Sequence, residues 1–271
     1  MNGTTMAASS RDGTRIAYDR TGEGPVVVLV DGAMCHRALG PAPRLVPWLA
    51  ERFTVVSYDR RGRGDSGAHP EYAVQKEIDD LAAVLATVDS PASVLGMSSG
   101  AALAVRAAAA GLPIARLALF EPPYVGHAAP EEQPPADALQ AVQSMVDAGR
   151  NAEAITYFLT RVIGMPAAAV TMLKLFRGLW GRTTATAPTL PHELRIMGDW
   201  LAPTGVLVLL PMPTHVIVGD RSPSKLQAAH EAVLAANPAI TAVRLHRQGH
   251  NVSMKVLGAA VEPIFTSSHT S

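Results

Sequence analysis

A serine between two glycines gives this sequence its clearest chemical signal. Residues 96–100 read G-M-S-S-G, a G-x-S-x-G pattern with Ser98 at its centre. Residues 93–95 before it are typical of the end of a buried strand, and the alanine-rich residues 101–110 after it are typical of a helix. Because a serine on such a strand-to-helix turn projects its hydroxyl above the sheet edge, we predict that Ser98 is a nucleophile.

A serine hydroxyl is a weak nucleophile until a base accepts its proton, and His250 is the predicted base. The chain contains nine histidines. His250 lies in a loop between the last predicted strand, 242–245, and the closing predicted helix, 252–265. A base in that loop returns to the sheet edge that carries Ser98, so the two side chains are expected to meet there.

Acyl transfer also requires two amide donors for the oxyanion of the tetrahedral intermediate. One predicted donor is the backbone N–H of Ser99, directly after the nucleophile. The other is the N–H of Ala33, in the loop after the predicted strand 26–30, where Gly32 allows a tight turn toward the substrate. Cys35, further along this loop, is interpreted as pocket lining.

The elements that must position these residues alternate between strands and helices up to about residue 124. One of the predicted strands is 54–58. From 125 to 213 only helical periodicity is found, including a predicted helix from 167 to 180, and the alternation then returns. This order predicts an α/β fold with a doubly wound, mostly parallel sheet. The predicted core comprises residues 1–124 and 214–271, and residues 125–213 form a helical cap inserted in it.

The cap is expected to contribute to an apolar substrate pocket. Candidate lining residues are Met34, Met97 and Trp180, and from the cap Trp180, Phe176 or Met172 is expected among the residues that face the pocket.

Composition limits the possible partners. The chain has 271 residues, of which 48% are hydrophobic and 17% charged, with a formal net charge of +0 and one cysteine. Balanced charge predicts no nucleic-acid partner and no basic membrane anchor. The sequence shows no leader and no membrane span, so we expect a cytoplasmic protein, either a monomer or a homodimer. It also shows no metal-ligand spacing and no nucleotide-binding glycine loop. We therefore expect a protein that acts on a small molecule without a metal or cofactor.

Three further segments extend the pattern in order along the chain. Residues 12–18, 26–32 and 58–66, with the 96–100 turn and the Gly249-His250 loop, resemble the corresponding segments of the α/β-hydrolase fold family of the lidded type. The resemblance implies an α/β-hydrolase fold and a Ser-His-acid triad. The loop 59–66 is interpreted as structural, with its arginines tying loops together.

The acid that orients the histidine departs from the family's pattern. The family usually carries it in a G-x-x-D turn after the strand at 215–218, and here Ser222 occupies that place. Asp220, two positions earlier, is one alternative. Glu121, after the predicted strand 117–120, is the preferred one, because members resembling haloalkane dehalogenases place the acid there. A histidine without an acid remains the third possibility.

A second departure lies at the oxyanion loop, where Asp31-Gly32 stands in place of the family's His-Gly. We expect the Asp31 carboxylate to orient Arg60 or another loop residue, or to act on the substrate. Because a carboxylate facing the oxyanion would oppose its charge, it is expected to point away.

These residues favour a cofactor-free serine hydrolase that cleaves an ester, lactone or related acyl bond of a small to medium apolar substrate. One alternative uses the same fold and pocket for C–C bond hydrolysis, cyclisation or lyase chemistry. Another is a non-enzymatic ligand-binding protein.

Overall fold

Strands that are buried along their whole length form the centre of the sheet. In the computed structural model, which describes residues 5–88 and 91–266, strands β4 (Thr54–Tyr58) and β5 (Ala92–Met97) are buried at every position. Such strands require cover on both faces, as parallel sheets with helices on either side provide. The ends of the predicted core, 1–4 and 267–271, lie outside the described residues.

Eight strands form one sheet in the order β1-β2-β4-β3-β5-β6-β7-β8. The pairs β1–β2 and β2–β4 are antiparallel, and every other pair is parallel. The remaining strands are β1 (Met6–Ser9), β2 (Arg15–Thr21), β3 (Val26–Val30), β6 (Ile114–Phe120), β7 (Thr214–Gly219) and β8 (Thr241–Leu245).

Alternate residues of each central strand pack into different layers, as the two-residue period of a strand requires. In β3, Val28 and Val30 join the core beneath α2, α3 and α10, whereas Val27 and Leu29 join the core beneath α1 and α11. These helices are α1 (Ala42–Leu49), α2 (Val74–Leu85), α3 (Ser99–Ala109), α10 (Ser224–Ala236) and α11 (Met254–Thr266).

The segment between β6 and β7 contains helices and turns and no strand. We call residues 125–213 the helical insertion. It has its own apolar cluster, which includes Val142, Ile155 and Leu190, and Ala33 and Met34 of the loop after β3 pack against that cluster. Its helices are α4 (Ala138–Asp147), α5 (Asn151–Tyr157), α6 (Ala167–Leu175), α7 (Arg177–Ala185), α8 (Leu190–Met197) and α9 (Thr204–Leu207).

The structure corrects several predicted elements. The helix predicted from 167 to 180 is two helices, because the backbone leaves the helical region at Phe176, with ψ of 73°. A π-helical turn, Phe158–Val162, continues α5. Helix α1 was not predicted, since it begins after Pro41 and contains Pro47. None of the described helices is long and apolar enough to cross a membrane.

The strand register brings the carboxyl ends of the parallel strands to one edge. Met97 at the end of β5 is paired with Phe120 at the end of β6, and Gly219 at the end of β7 is paired with Leu245 at the end of β8. The loops that follow these strands therefore share one rim, where ligands collect in open parallel sheets.

Candidate active site

The turn between β5 and α3 holds Ser98 in a strained backbone conformation. Its φ is 53° and its ψ is −127°, outside the regions that L-residues favour. The Ser98 N–H donates to the carbonyl oxygen of Phe120 at 2.9 Å, which fixes the turn against β6. Strain of this kind costs on the order of 1–3 kcal/mol and persists where surrounding structure enforces it. The backbone therefore aims the Ser98 side chain.

Close packing explains the two glycines of the turn. A Cβ atom on Gly96 would lie 2.5 Å from Cα of Ala101, and one on Gly100 would lie 2.1 Å from the carbonyl oxygen of Val30. Neither glycine has a positive φ. Their role is to let α3 approach the backbones of β3 and β5, and any side chain there would push the helix and its first residue away.

His250 and Glu121 form a hydrogen-bonded pair at the same rim. His250 Nδ1 lies 2.6 Å from Glu121 Oε2. The other carboxylate oxygen of Glu121 accepts hydrogen bonds from the N–H of Gly219, at 2.9 Å, and from the hydroxyl of Ser222. The His250 ring is stacked on Phe120, with 6.2 Å between the ring centroids. Glu121 thus holds one ring nitrogen of His250 and leaves the other available.

The environment of Glu121 keeps its carboxyl group ionised. Burial raises its pKa, but hydrogen bonds from His250, the Gly219 N–H and Ser222 together bring the pKa below the ordinary value. An ionised carboxylate that accepts the Nδ1–H of a histidine fixes the tautomer in which Nε2 can act as a base.

The alternative acid, Asp220, contacts a different histidine. Its Oδ2 is 2.9 Å from Nδ1 of His246, and both side chains are exposed. Ser222, which stands at the family's acid position, donates to Glu121 instead of replacing it. This supporting role was missed in the sequence, because a serine carries no signal of what it contacts.

The loop after β3 packs directly against Ser98. A Cβ atom on Gly32 would lie 3.0 Å from Cβ of Ser98 and 3.0 Å from the Met97 carbonyl oxygen. Ala33, the next residue, therefore has its backbone beside Ser98. Ser99 is the first residue of α3, where backbone N–H groups lack intrahelical acceptors and the helix favours negative charge. The two predicted oxyanion donors thus belong to the loop that packs against Ser98 and to the helix that begins directly after it.

Two buried arginines hold the carbonyl groups of this loop. Arg63 Nη1 donates to the carbonyl oxygens of Gly32, at 2.7 Å, and of Cys35, at 3.1 Å. Arg60 Nη1 donates to the carbonyl oxygen of Asp31 at 3.2 Å. These contacts agree with the interpretation that the arginines of residues 59–66 tie loops together.

Glu193 of α8 is a functional candidate that the sequence reasoning missed. It is 1% exposed and accepts hydrogen bonds from Arg60, Arg63 and the Ser99 hydroxyl. One signal was available: Glu193 is the only acidic residue between 154 and 198.

The Asp31 carboxyl group is buried and lacks the partner expected for it. Its Oδ1 has no hydrogen-bond partner among the described residues, and Arg60 binds its backbone oxygen. Among the described residues no hydrogen bond joins this carboxylate to the Arg60 side chain, and the alternatives, that it orients another loop residue or acts on the substrate, stay predictions. Burial raises the pKa of Asp31 to about 7, although Arg63 and Arg60 oppose the shift.

The raised pKa of Asp31 predicts that the stability of the protein depends on pH. The folded-state pKa of Asp31, about 7, lies above its ordinary value of 3.8, so its contribution to stability is lost as pH rises between those values. Asp31→Asn removes this loss. Relative to the wild type, the variant should gain about 2–3 kcal/mol in free energy of unfolding between pH 5 and pH 8. Urea unfolding at pH 5 and pH 8 measures this gain, with Asp220→Asn, at an exposed carboxylate, as the control. Parallel changes of stability with pH in Asp31→Asn and the wild type would contradict the expectation.

Cys35 and His36 do not form a nucleophile–base pair. Burial raises the pKa of the Cys35 thiol to about 12, so the thiol stays protonated near neutral pH. His36 Nδ1 accepts a hydrogen bond from the N–H of Ala38. Neither group is prepared for covalent catalysis.

The predicted pocket residues have different surroundings. Met34 and Trp180 pack against the apolar cluster of the helical insertion. Met97 is 3% exposed and belongs to the core beneath α1 and α11. Met172 and Phe176 are 59% and 62% exposed, so of the three candidates from the insertion only Trp180 packs against the cluster, and a pocket role for Met172 or Phe176 stays a prediction. Phe176 lies at the junction of α6 and α7, where the predicted single helix breaks, and Met172 lies about one turn before it in α6.

A groove of about 800 Å³ lies between residues 130–136, the end of the π-helical turn and the start of α10. None of the predicted site residues lines it.

Within residues 5–88 and 91–266, no group of three or more histidine, cysteine, aspartate or glutamate side chains could hold a metal ion.

Comparison with known proteins finds a family model and a solved structure that match most of this chain. The model of the alpha/beta hydrolase family matches residues 27–255. The crystal structure of an alpha/beta hydrolase from Sphaerobacter thermophilus DSM 20745 is 40% identical, with a TM-score of 0.90, over 96% of this chain and 100% of that chain.

Two curated proteins match over shorter segments. An uncharacterized hydrolase of Bacillus subtilis (strain 168) is 37% identical over 98 residues, which are 34% of this chain and 34% of that protein. A pimeloyl-[acyl-carrier protein] methyl ester esterase of Methylococcus capsulatus is 36% identical over 90 residues, or 33% of this chain and 34% of that protein. The chain thus matches about a third of the length of these curated relatives.

Proposed function

The chain belongs to the alpha/beta hydrolase family, and we propose that it is a serine hydrolase that cleaves an ester, lactone or related acyl bond of a small to medium apolar substrate. Ser98 is the nucleophile, His250 the base and Glu121 the orienting acid. The hydrogen bond of 2.6 Å between His250 Nδ1 and Glu121 Oε2 carries the proposal, because it prepares Nε2 to accept a proton.

The proposed reaction uses groups of this chain and water. Ser98 Oγ attacks the acyl carbon while His250 Nε2 accepts the hydroxyl proton, and the carbonyl oxygen becomes an oxyanion held by the N–H groups of Ser99 and Ala33. The carbon–leaving-group bond breaks as His250 returns the proton to the leaving group. Water then attacks the acyl-enzyme by the same route, which releases the acid and restores Ser98.

Packing and relatives support the substrate class. In this proposal residues 125–213 act as a cap, and the half-buried Met34 and Trp180, which pack on its apolar cluster, form part of the substrate's surroundings. The Methylococcus capsulatus relative is named for a carboxylic ester substrate, which is the bond type proposed here. The cytoplasmic location expected from the sequence is retained in the proposal.

Covalent labelling tests the nucleophile. A fluorophosphonate should modify Ser98, because it needs a base-activated hydroxyl beside oxyanion donors. Mass spectrometry of the labelled peptide identifies the site, and Ser98→Ala, which lacks the hydroxyl, should stay unlabelled. Two results would reject the acyl-enzyme: labelling at Cys35 alone, or the absence of any label in protein that is active. It would favour lyase chemistry or ligand binding.

A further inference from the structure

A single carboxylate of the helical insertion is connected to both sides of the proposed oxyanion hole. Glu193 accepts hydrogen bonds from the Ser99 hydroxyl and from Arg63, and Arg60 Nη1 lies 3.1 Å from its carboxylate. All four side chains are buried. In such an environment these charge-assisted bonds are stronger than they would be at the surface.

On one side, Glu193 anchors the residue that supplies the first donor. Ser99 begins α3 and is 4% exposed. Its hydroxyl bond to Glu193 holds the side chain in one rotamer and ties the first turn of α3 to α8. The backbone N–H of Ser99 is thereby held in place beside Ser98.

On the other side, the connection runs through a single peptide group. The carbonyl of Gly32 and the N–H of Ala33 belong to the same planar unit, and in a trans peptide they point in opposite directions. Arg63 Nη1 binds the Gly32 oxygen at 2.7 Å, so it fixes the direction of the Ala33 N–H. A cation on that oxygen also polarises the peptide and strengthens the N–H as a donor.

We propose that Glu193 is a positioning residue for the oxyanion hole, acting on the Ser99 N–H through the Ser99 hydroxyl and on the Ala33 N–H through Arg63. This inference rests on the proposed function. It makes the placement of α8 a condition for stabilising the transition state, although Glu193 itself touches no reacting atom.

Glu77 of α2 provides a matched control. It is 2% exposed and binds Arg60, at 2.6 and 2.9 Å, so it is as deeply buried in the same arginine cluster. Among the described hydrogen bonds, none joins Glu77 to Ser99 or Arg63. A residue that only stabilises the fold should behave like Glu77.

The test compares Glu193→Gln with Glu77→Gln in three measurements. Hydrolysis of a p-nitrophenyl ester gives kcat and KM, and urea unfolding gives the stability. The third measurement is the affinity for a boronic acid, which forms a tetrahedral adduct on serine. Loss of one oxyanion donor costs about 10²–10³-fold in kcat, so Glu193→Gln should lose about 10²-fold, with KM changed less than about threefold. Boronate affinity should fall in parallel with kcat. Glu77→Gln should lose similar stability with kcat within about threefold of the wild type.

If Glu193→Gln does not fold, Ser99→Ala removes only the hydroxyl contact, and kcat should then fall about tenfold with KM unchanged. Equal losses of kcat in the Glu193 and Glu77 variants, or unchanged kcat in both Glu193→Gln and Ser99→Ala, would overturn the inference. Failure of the proposed function gives a different result, since the fluorophosphonate would then leave Ser98 of the wild type unmodified.

Discussion

Ser98→Ala is expected to lower kcat about 10⁶-fold, because losing the nucleophile of a serine hydrolase costs about as much as losing the whole triad. The turn that holds it is set by backbone contacts, including the bond from the Ser98 N–H to the Phe120 oxygen, so the fold should survive. Steady-state hydrolysis of an activated ester, with circular dichroism as the control for folding, measures the effect. A loss of less than about tenfold would rule out Ser98 as the nucleophile.

A companion variant separates chemistry from backbone strain. Ser98→Gly should be as inactive as Ser98→Ala, yet more stable by about 1–3 kcal/mol, because glycine adopts the φ of 53° without the strain that a Cβ imposes. Urea unfolding compares the two variants directly. Equal stability would mean that the turn stores no strain.

Glu121→Gln is expected to lower kcat about 10⁴-fold while the fold is kept. An amide at this position holds Nδ1 of His250 in the wrong tautomer, and the comparable change in serine proteases has an effect of about this size. Kinetics of the ester substrate and unfolding of the purified variant measure both parts of the expectation.

Asp220→Asn is the matched control, since Asp220 pairs with the exposed His246. It should leave kcat within about twofold of the wild type. A disabled Asp220→Asn beside a nearly normal Glu121→Gln would move the acid to the family's usual strand. Full activity in both variants would mean that His250 works without a carboxylate, and the hydrolase proposal would then fail.

The central sheet was predictable because its strands are short, continuous apolar runs between turn residues. Residues 26–30 and 54–58 were placed correctly, since a strand buried on both faces has few alternatives in composition. The order of strands along the chain also made Glu121 and His250 candidates for the same rim. Strand β1 was missed because Met6–Ser9 contains no β-branched or aromatic residue and pairs only at the sheet edge.

The contacts of the helical insertion could not be predicted in the same way. Glu193 lies in no motif, and its burial depends on arginines about 130 residues away in the chain. Similarly, nothing in the local sequence shows that Ser222 donates to Glu121, because the two meet across neighbouring strands. Periodicity and motifs describe local structure, whereas these partners are set by the three-dimensional approach of distant segments.

The burial of Arg60 and Arg63 beneath α8 has a consequence for the modularity of the chain. If the helical insertion were exchanged for the corresponding segment of a relative, a different side chain would take the place of Glu193. Unless that side chain were acidic, two guanidinium groups would lose their shared anion. Breaking a buried ion pair costs about 3–5 kcal/mol, a large share of the roughly 5–15 kcal/mol that holds a domain folded. The helical insertion and the core of this protein are therefore interchangeable with those of other chains only when the charge beneath α8 is matched.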